Sequence, residues 1–215
     1  MLRPRSLTLL AVAAAILVAT GSSLAKKKPA PGSLQQNPAQ TAELPDLPFF
    51  PAAQKCENWA WAAGVQSILK AQGVNIQQDY WITKANAGEV CVDTPMQLPD
   101  IAGVIDGDYV LDDGDKVHLE SRILAGPPTD VGTIVASINQ GRPMLLFWKN
   151  HAFLLLGIVY DEYFYVNGQR LLEAREIKLV DPYDRKPASL VKGQDDPGEI
   201  GGTLEVIVGP ITHWR

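Results

Sequence analysis

Residues 54–63 read QKCENWAWAA, and this stretch decides where the first helix of the domain begins. A polar run gives way there to small and apolar residues. The apolar side chains that follow recur on one helical face: Trp61, Val65, Ile68 and Leu69. Asn58 is a residue type that caps helix N-termini, and Gly73 is one that ends helices. The pattern predicts a helix over Asn58–Gln72 with Ala60 in its first turn.

The first turn of this helix is a favourable place for a reactive thiolate. Backbone N–H groups and the helix dipole stabilise a negative charge there, so a cysteine at that position would have a lowered pKa. The residue in that place is Ala60, whose methyl group has no nucleophilic atom, no exchangeable proton and no affinity for metals. The local sequence suits thiolate chemistry, but the thiol is absent.

Helices dominate the first half of the domain and strands the second. Further helices are predicted over Gln77–Ala87 and from the Asp130 cap to Asn139, and Met96–Ile105 is predicted to be partly helical. The strand-like segments are Pro143–Trp148, Ala152–Val159, Tyr163–Val166, Glu176–Val180 and Thr203–Val208. An Asn-Gly pair at 167–168 is a strong hairpin signal. Helices followed by an antiparallel sheet make the predicted fold class α+β.

The intervening segment 89–130 is rich in Pro, Gly and Asp and is predicted to form turns. It contains five closely spaced aspartates: Asp106, Asp108, Asp112, Asp113 and Asp115. Their spacing does not match an EF-hand loop, so we interpret them as solvated turn residues, with calcium binding as a minority alternative. Two cysteines and three histidines give poor support for a structural zinc site. We therefore predict no metal and no cofactor.

The first 46 residues are predicted to lie outside the folded domain. A short positive region precedes the apolar run Leu7–Val18, and small residues around Ala25 form a cleavage signal, which together predict a signal peptide over 1–25. The run is too short for a confident membrane span, so an uncleaved anchor is the weaker alternative. Residues 26–46 are rich in Lys, Pro, Gln and Ala and predict a flexible tether. Residues 47–215 then form one domain of an exported protein, either periplasmic or secreted.

Charge and cysteine content narrow the function further. The net charge of −5 becomes −7 once residues 1–25, which carry two arginines and no acid, are removed. An acidic domain is a poor nucleic-acid binder, because neutralising phosphates needs clustered Lys and Arg. We expect a monomer with no stable membrane insertion after signal cleavage.

An even cysteine count favours a disulfide between Cys56 and Cys91, which would add roughly 3–4 kcal/mol of stability. The alternative is that Cys56 is a free nucleophile.

Five pieces of sequence occur in a characteristic order. Gln54 is followed by the run Trp-Ala-Trp-Ala-Ala at 59–63, then by Gly-Arg-Pro at 141–143, then by His151, and finally by Asp-Pro at 181–182. This order resembles the secreted bacterial branch of papain-like cysteine proteases, in which the first run reads Trp-Cys-Trp-Ala-Ala. That branch includes plant-pathogen effector proteases and is more distantly related to double-glycine leader peptidases. The resemblance implies a papain-like fold, with a nucleophile helix first and an antiparallel sheet second.

The resemblance also implies roles for individual residues. Gln54 would supply the amide of the oxyanion hole, His151 would be the general base and later the acid, and Asp181 would orient the imidazole. The nucleophile position falls on Ala60, so the catalytic role does not carry over at that residue. Relatives with an extra cysteine pair place a disulfide beside the active site, which is what Cys56 and Cys91 resemble.

Ala60 makes a catalytically inactive peptidase homologue the leading hypothesis. The retained cleft would bind an extended peptide or a partner protein, with Trp59, Trp61 and Trp148 as apolar walls. One alternative is an active protease that uses Cys56, which is disfavoured because a displacement of about 1 Å from attack geometry costs about a hundredfold in rate. Another is that a native cysteine has been replaced at position 60. An interaction domain of the cell envelope, with no cleft, is the alternative from a different functional class.

Overall fold

The computed structural model describes residues 35–44, 51–86 and 96–213. Within them, four helices are present: α1 Ala60–Ala71, α2 Gln78–Ala85, α3 Leu98–Ile105 and α4 Val131–Asn139. The strands there are β1 Gln35–Gln36, β2 Gln40–Glu43, β3 Gly107–Val110, β4 Lys116–Ala125, β5 Met144–Trp148, β6 His151–Phe164, β7 Arg170–Val180, β8 Pro187–Val191 and β9 Ile200–Val208. The α+β prediction is confirmed. The predicted signal peptide and Cys91 lie outside the described residues.

All of these strands belong to one antiparallel sheet with the order β3-β4-β9-β5-β6-β7-β8. The long strand β6 is its centre. One edge of β6 pairs first with β5 and then with β2 and β1, while its other edge pairs with β7. β6 therefore has a hydrogen-bonded neighbour strand along its whole length.

The two faces of the sheet carry separate hydrophobic cores. Successive residues of β5 alternate between them, as the pleat of a strand requires. Leu145 and Phe147 pack in the core that contains α1, α2 and α3, whereas Met144 and Leu146 pack in the core that contains α4. Helices α1, α2 and α3 therefore cover one face of the sheet, and α4 covers the other. Across the described ranges, no helix is long and apolar enough to span a membrane.

Helix α1 begins two residues later than predicted, at Ala60 rather than at Asn58. Asn58 has a φ of 57°, in the left-handed region, so it belongs to the preceding turn. Trp59 is the N-cap residue, and its side chain makes no capping hydrogen bond. Gly73 ends the helix as predicted, with a φ of 84° that glycine adopts without steric cost. Ala60 is therefore the first residue of the helix.

The other helices follow the sequence patterns closely. Helix α4 is confirmed together with its cap, because the Asp130 carboxylate accepts a hydrogen bond from the Thr133 N–H at 3.0 Å. Helix α2 is shorter at both ends than the predicted 77–87, and α3 forms the helical part of 96–105. The predicted hairpin at 167–168 is also present, since the Gly168 N–H donates to the Tyr165 carbonyl at 2.9 Å between β6 and β7.

Residues 35–44 correct the prediction of a flexible tether over 26–46. Two short segments in this range are strands paired with β6, and Ala42 is only 3% exposed in the α4-side core. Further polar contacts fix the segment, because Gln36 and Asn37 donate to the carboxylates of Asp161 and Glu162. Pairing with an existing strand edge outweighs the low strand propensity of this Gln-rich sequence.

The segment predicted to form turns, 89–130, contains β3 and β4, which extend the sheet to one edge. Four of the five closely spaced aspartates have defined partners, and among them Asp113 accepts a hydrogen bond from the Asp115 N–H at 3.1 Å. Asp106 accepts hydrogen bonds from the Ser121 N–H and hydroxyl, and Asp108 and Asp115 contact histidine side chains. Within the described part of the chain, no group of three or more His, Cys, Asp or Glu residues is arranged to hold a metal ion.

Candidate functional site

His151 and Asp181 lie 30 residues apart in sequence and are brought together by the sheet. His151 is the first residue of β6, and Asp181 follows the last residue of β7, whose Val180 pairs with Leu154. Antiparallel pairing therefore puts the start of one strand beside the end of the other. The His151 Nε2 atom lies 2.7 Å from Asp181 Oδ1, a hydrogen-bonding distance. The side chains are 34% and 27% exposed.

The orientation of Asp181 is fixed by the turn that it begins. Its Oδ1 atom also accepts a hydrogen bond from the Tyr183 N–H at 2.8 Å, and its carbonyl accepts one from the Arg185 N–H at 2.7 Å. Its own N–H donates to the Lys186 carbonyl at 3.1 Å. With Asp181 held in this way, the carboxylate sets the position of the His151 ring.

Ala60 and His151 line the same cleft, which has a volume of about 570 Å³. Ala60 lies at the N-terminal end of α1, and the cleft crosses the end of the sheet between this helix and the β5–β6 turn. The described apolar lining includes Met96, Leu98, Ile123 and Phe147. The polar lining includes Asn58, Gln97, Lys149, Asn150 and Glu199. The predicted base and the predicted nucleophile position thus both border this cleft.

This arrangement defines what the imidazole can do. Because Nε2 bonds to Asp181, Nδ1 is the ring nitrogen that can accept a proton from a group in the cleft, or return one. The start of α1 borders the same cleft, and a helix N-terminus stabilises a developing negative charge. The methyl group of Ala60 offers the base no proton to remove. The cleft therefore combines an imidazole–carboxylate pair with the N-terminus of a helix, and Ala60 supplies no thiol there.

Gln54 lies near Asp181, because it contacts Pro182, the next residue along the chain. Its N–H donates to the Pro182 carbonyl at 2.9 Å, and its side-chain Nε2 donates to the Cys56 carbonyl at 3.2 Å. Its Oε1 is buried without a hydrogen-bond partner among the described residues. Gln54 is not among the described residues that line the cleft. To act as an oxyanion donor, its amide would have to turn its second N–H towards the cleft.

The three tryptophans that were predicted as cleft walls occupy different environments. Trp61 lines the cleft and is 2% exposed. Trp59 is fully buried in the core formed with α1, α2 and α3, and Trp148 contacts Glu199 and Phe153. Neither Trp59 nor Trp148 is among the described lining residues. Of the three, only Trp61 is placed where a ligand in the cleft would touch it.

Cys56 lies in the loop before α1 and is partly buried against the same core. It is not among the described residues that line the cleft, and the described part of the chain contains no free cysteine. Its predicted partner, Cys91, lies outside the described residues.

Glu199 is a cleft residue that the sequence did not single out. It ends a short 3₁₀ helix, Pro197–Glu199, and its carboxylate lies 3.3 Å from the Lys149 Nζ across the rim of the cleft. Its carbonyl also accepts the Lys149 N–H at 3.1 Å. Glu199 and Lys149 are 50 residues apart, so no local sequence signal joins them. In the sequence, Glu199 follows the turn residues Asp-Pro-Gly at 196–198, and this pattern is typical of an ordinary loop.

A second cavity of about 480 Å³ lies on the α4 side of the sheet. Its lining is mainly apolar and includes Pro127, Val131, Leu172 and Ile177. It contains none of the predicted site residues, so the cleft at Ala60 and His151 is the candidate functional site.

The chain is similar to known proteins at the level of solved structures. No family model matches this chain, and no curated protein does. Three chains of solved structure match it. One is the crystal structure of the peptidase domain of Streptococcus ComA, a bi-functional ABC transporter involved in a quorum-sensing pathway. That chain is 15% identical, with a TM-score of 0.40, and the match covers 75% of this chain and 98% of the other.

Proposed function

We propose that this chain is a papain-like cysteine peptidase homologue that has lost its nucleophile and binds a peptide or protein in the retained cleft. The observation that carries the proposal is the position of Ala60 and His151 in one cleft, with His151 bonded to Asp181. In papain-like enzymes such a base serves a cysteine at the start of a helix. Here the base and its carboxylate are present and the sulfur position holds a methyl group.

The cleft suits an extended peptide. Its volume of about 570 Å³ lies within the range of ligand sites in proteins. Met96, Leu98 and Phe147 offer apolar surface, while Asn58 and Asn150 offer amide groups that can bond to a peptide backbone. Covalent catalysis needs an attacking atom, so a ligand in this cleft would be held without acyl transfer to Ala60.

The experiment that tests the proposal is Ala60→Cys. If the site is a thiol site without its thiol, iodoacetamide at pH 6 should label the introduced thiol at least about tenfold faster than in Ala60→Cys/His151→Ala, because a paired imidazole lowers the pKa of a thiol. A second control, Ala60→Cys/Asp181→Asn, should fall between them. Equal labelling rates with and without His151 would refute the proposal that this is a thiol site without its thiol.

Inactivity and binding are tested on the unmodified protein. We expect no hydrolysis of a mixed peptide library, and binding of peptides from that library detected by mass spectrometry after gel filtration. Hydrolysis that disappears in His151→Ala would overturn the inactive assignment. Peptide binding that is unchanged in Ala60→Trp, which would fill the cleft, would place the ligand elsewhere.

An active protease built on Cys56 is the second candidate. It requires a free thiol, and we propose instead that Cys56 is bonded to Cys91. Support comes from the absence of a free cysteine in the described residues and from the placement of Cys56 outside the cleft lining. Intact-mass alkylation should add nothing before reduction and two adducts after it. Fast labelling at Cys56, abolished in His151→Ala, would establish the relocated nucleophile.

We further propose that the protein is exported and monomeric, with cleavage near Ala25. The support is the sequence pattern of residues 1–25, and the net charge, which disfavours nucleic acid as the partner. Mass spectrometry of the mature N-terminus from cell fractions tests the cleavage, and light scattering tests the monomer. An intact N-terminus in a membrane fraction would identify an uncleaved anchor. An open cleft also argues against a purely structural envelope domain.

A further inference from the structure

We propose that Glu199, Trp148 and Phe153 position the His151 imidazole through a continuous series of contacts. The inference rests on the proposed role of His151 as the base of the cleft. Asp181 holds one side of the ring, and this second group of residues holds another. Glu199 does not itself contact the ring in this series, so we describe it as a positioning residue.

The first observation is the shape of the turn that precedes His151. Lys149 and Asn150 both have left-handed backbone conformations, with φ values of 52° and 60°. Two consecutive positive values are typical of the tight hairpin turn that favours Asn-Gly, and a lysine is an unfavourable residue in it. Such strain persists only where surrounding contacts fix the backbone. The turn opens directly into His151, so whatever fixes the turn also fixes that residue.

Glu199 supplies the contacts that fix the turn. The Lys149 N–H donates to its carbonyl at 3.1 Å, and the Lys149 Nζ lies 3.3 Å from its Oε2. The Trp148 Nε1–H donates to the same Oε2 at 3.3 Å. The ammonium group also lies 4.7 Å from the centre of the Trp148 ring, in cation–π contact. The carboxylate of Glu199 therefore joins the ammonium group and the indole, and its main-chain carbonyl holds the backbone of the turn.

The indole passes this constraint to the imidazole through one aromatic ring. Trp148 and Phe153 lie with ring centres 5.6 Å apart at an interplanar angle of 46°. Phe153 and His151 are 4.8 Å apart and nearly perpendicular, at 79°. The side chains of His151 and Phe153 lie on the same face of β6, because they are two residues apart. An edge-to-face contact of this kind restricts rotation of the ring about its outer torsion.

Glu199 is itself held by the backbone on both sides. The Asp196 carboxylate accepts the Gly198 N–H at 2.8 Å, which caps the 3₁₀ helix that ends at Glu199. The next residue, Ile200, begins β9 and pairs with Trp148, beside an irregularity in the β5–β9 register. Glu199 is therefore anchored at the point where β9 meets the turn, and its side chain has a fixed origin.

The test uses Glu199→Gln, which keeps the size of the side chain and removes its charge. The readout is the ring resonance of His151 in the proton–carbon NMR spectrum, assigned with His151→Ala. Glu173→Gln is the matched control, because Glu173 pairs with Lys192 and its carboxylate is about as exposed, 44% against 41%. We expect the His151 signal to shift and broaden in Glu199→Gln, while those of His118 and His213 stay in place in both variants.

A kinetic readout accompanies the spectrum. In the Ala60→Cys protein, Glu199→Gln should slow labelling of the introduced thiol about threefold to tenfold, and Glu173→Gln should not. Trp148→Phe, which keeps an aromatic ring and removes the N–H donor, should change both readouts in the same direction. An unchanged His151 resonance with an unchanged labelling rate in Glu199→Gln would overturn the inference. The resonance is measured without any ligand, so failure of peptide binding would not affect this result.

Discussion

Replacement of Arg142 by methionine should destabilise the fold strongly, because it removes a positive charge that pairs with a buried carboxylate. Glu205 lies on β9 with a side chain that is 0% exposed. Its Oε1 accepts the Ser137 hydroxyl at 2.7 Å and two guanidinium N–H groups of Arg142, from NH2 at 2.8 Å and from Nε at 3.2 Å. Its Oε2 pairs with Arg122. Both oxygens of this carboxylate thus have partners, which come from the three side chains Ser137, Arg142 and Arg122.

The magnitude follows from what Arg142→Met leaves behind. A hydrogen bond to a charged group contributes about 1.5–3 kcal/mol, and removing one member of a buried ion pair costs about 3–5 kcal/mol. Glu205 would keep the Ser137 hydroxyl and Arg122, whose side chain is 51% exposed. We therefore expect a loss of about 2–4 kcal/mol in the free energy of unfolding. This explains the arginine of the Gly-Arg-Pro turn as a structural residue.

Urea unfolding followed by circular dichroism measures this loss. Arg122→Met is the matched control, because it removes the same kind of group from the solvent side of the same carboxylate, where screening weakens the pair. That variant should lose about 1 kcal/mol. The reasoning would be refuted if Arg142→Met were no more destabilising than Arg122→Met at an unchanged slope of free energy against urea.

The same carboxylate makes stability depend on pH. Burial raises the pKa of Glu205, but hydrogen bonds from Ser137, Arg142 and Arg122 outweigh it and hold the pKa below its ordinary value. A carboxyl with a lowered pKa in the folded state stabilises the protein above its unfolded pKa, and this contribution is lost as the pH falls through the folded one. In Arg142→Met the burial effect is less opposed, so acid unfolding should begin at a higher pH.

Substitutions at three further positions test the core packing, the cap of α4 and the place of residues 35–44. Gly64→Ala should lose about 1–2 kcal/mol despite the better helix propensity of alanine, because its Cβ would overlap Leu145 Cδ2 in the buried core; equal or greater stability in thermal melts would contradict this. Asp130→Ala should cost about 1 kcal/mol by removing the cap on the Thr133 N–H, and Asp130→Asn should recover most of it. Ala42→Asp should prevent stable folding or cost at least about 3 kcal/mol, since it buries a carboxylate; a neutral result would mean that residues 35–44 are not part of the folded domain.

The helices could be predicted because their signals are local. The start of α4 has a capping aspartate, Asp130, and its apolar residues repeat with the helical period. The boundary of α1 was misplaced because Asn58 is a common cap residue, while the structure holds it in a left-handed turn. Sequence pattern alone does not distinguish a residue that caps a helix from one that turns the chain before it.

The missed strands differ in their cause. Strand β4 carries alternating burial over Lys116–Leu119, a period-two signal that the neighbouring aspartates concealed. Strands β1 and β2 have no such signal, because only Ala42 in them is buried and the remaining side chains are exposed. Their place in the sheet is decided by the free edge of β6, which is a property of the folded molecule.

The candidate site also depends partly on local sequence signals and partly on contacts that exist only in the folded molecule. Nothing local relates His151 to Asp181, and only the ordered motifs and the family resemblance suggested that they meet; the register of β6 and β7 supplies the geometry. Trp59 was expected at the cleft wall because it adjoins Ala60. As the N-cap of a helix whose first turn packs into the core, it is instead fully buried.

The energetics of this site support the proposal that the cleft binds a ligand. The His151–Asp181 pair is about a third exposed, so it adds only about 0–1 kcal/mol to stability. The turn that presents His151 places Lys149 in a left-handed conformation that costs about 1 kcal/mol or more. A fold shaped by stability alone would gain from a glycine in that turn and would lose little without the pair. The proposed function accounts for these features, because a cleft that binds a ligand needs its shape and polar groups even where position 60 is an alanine.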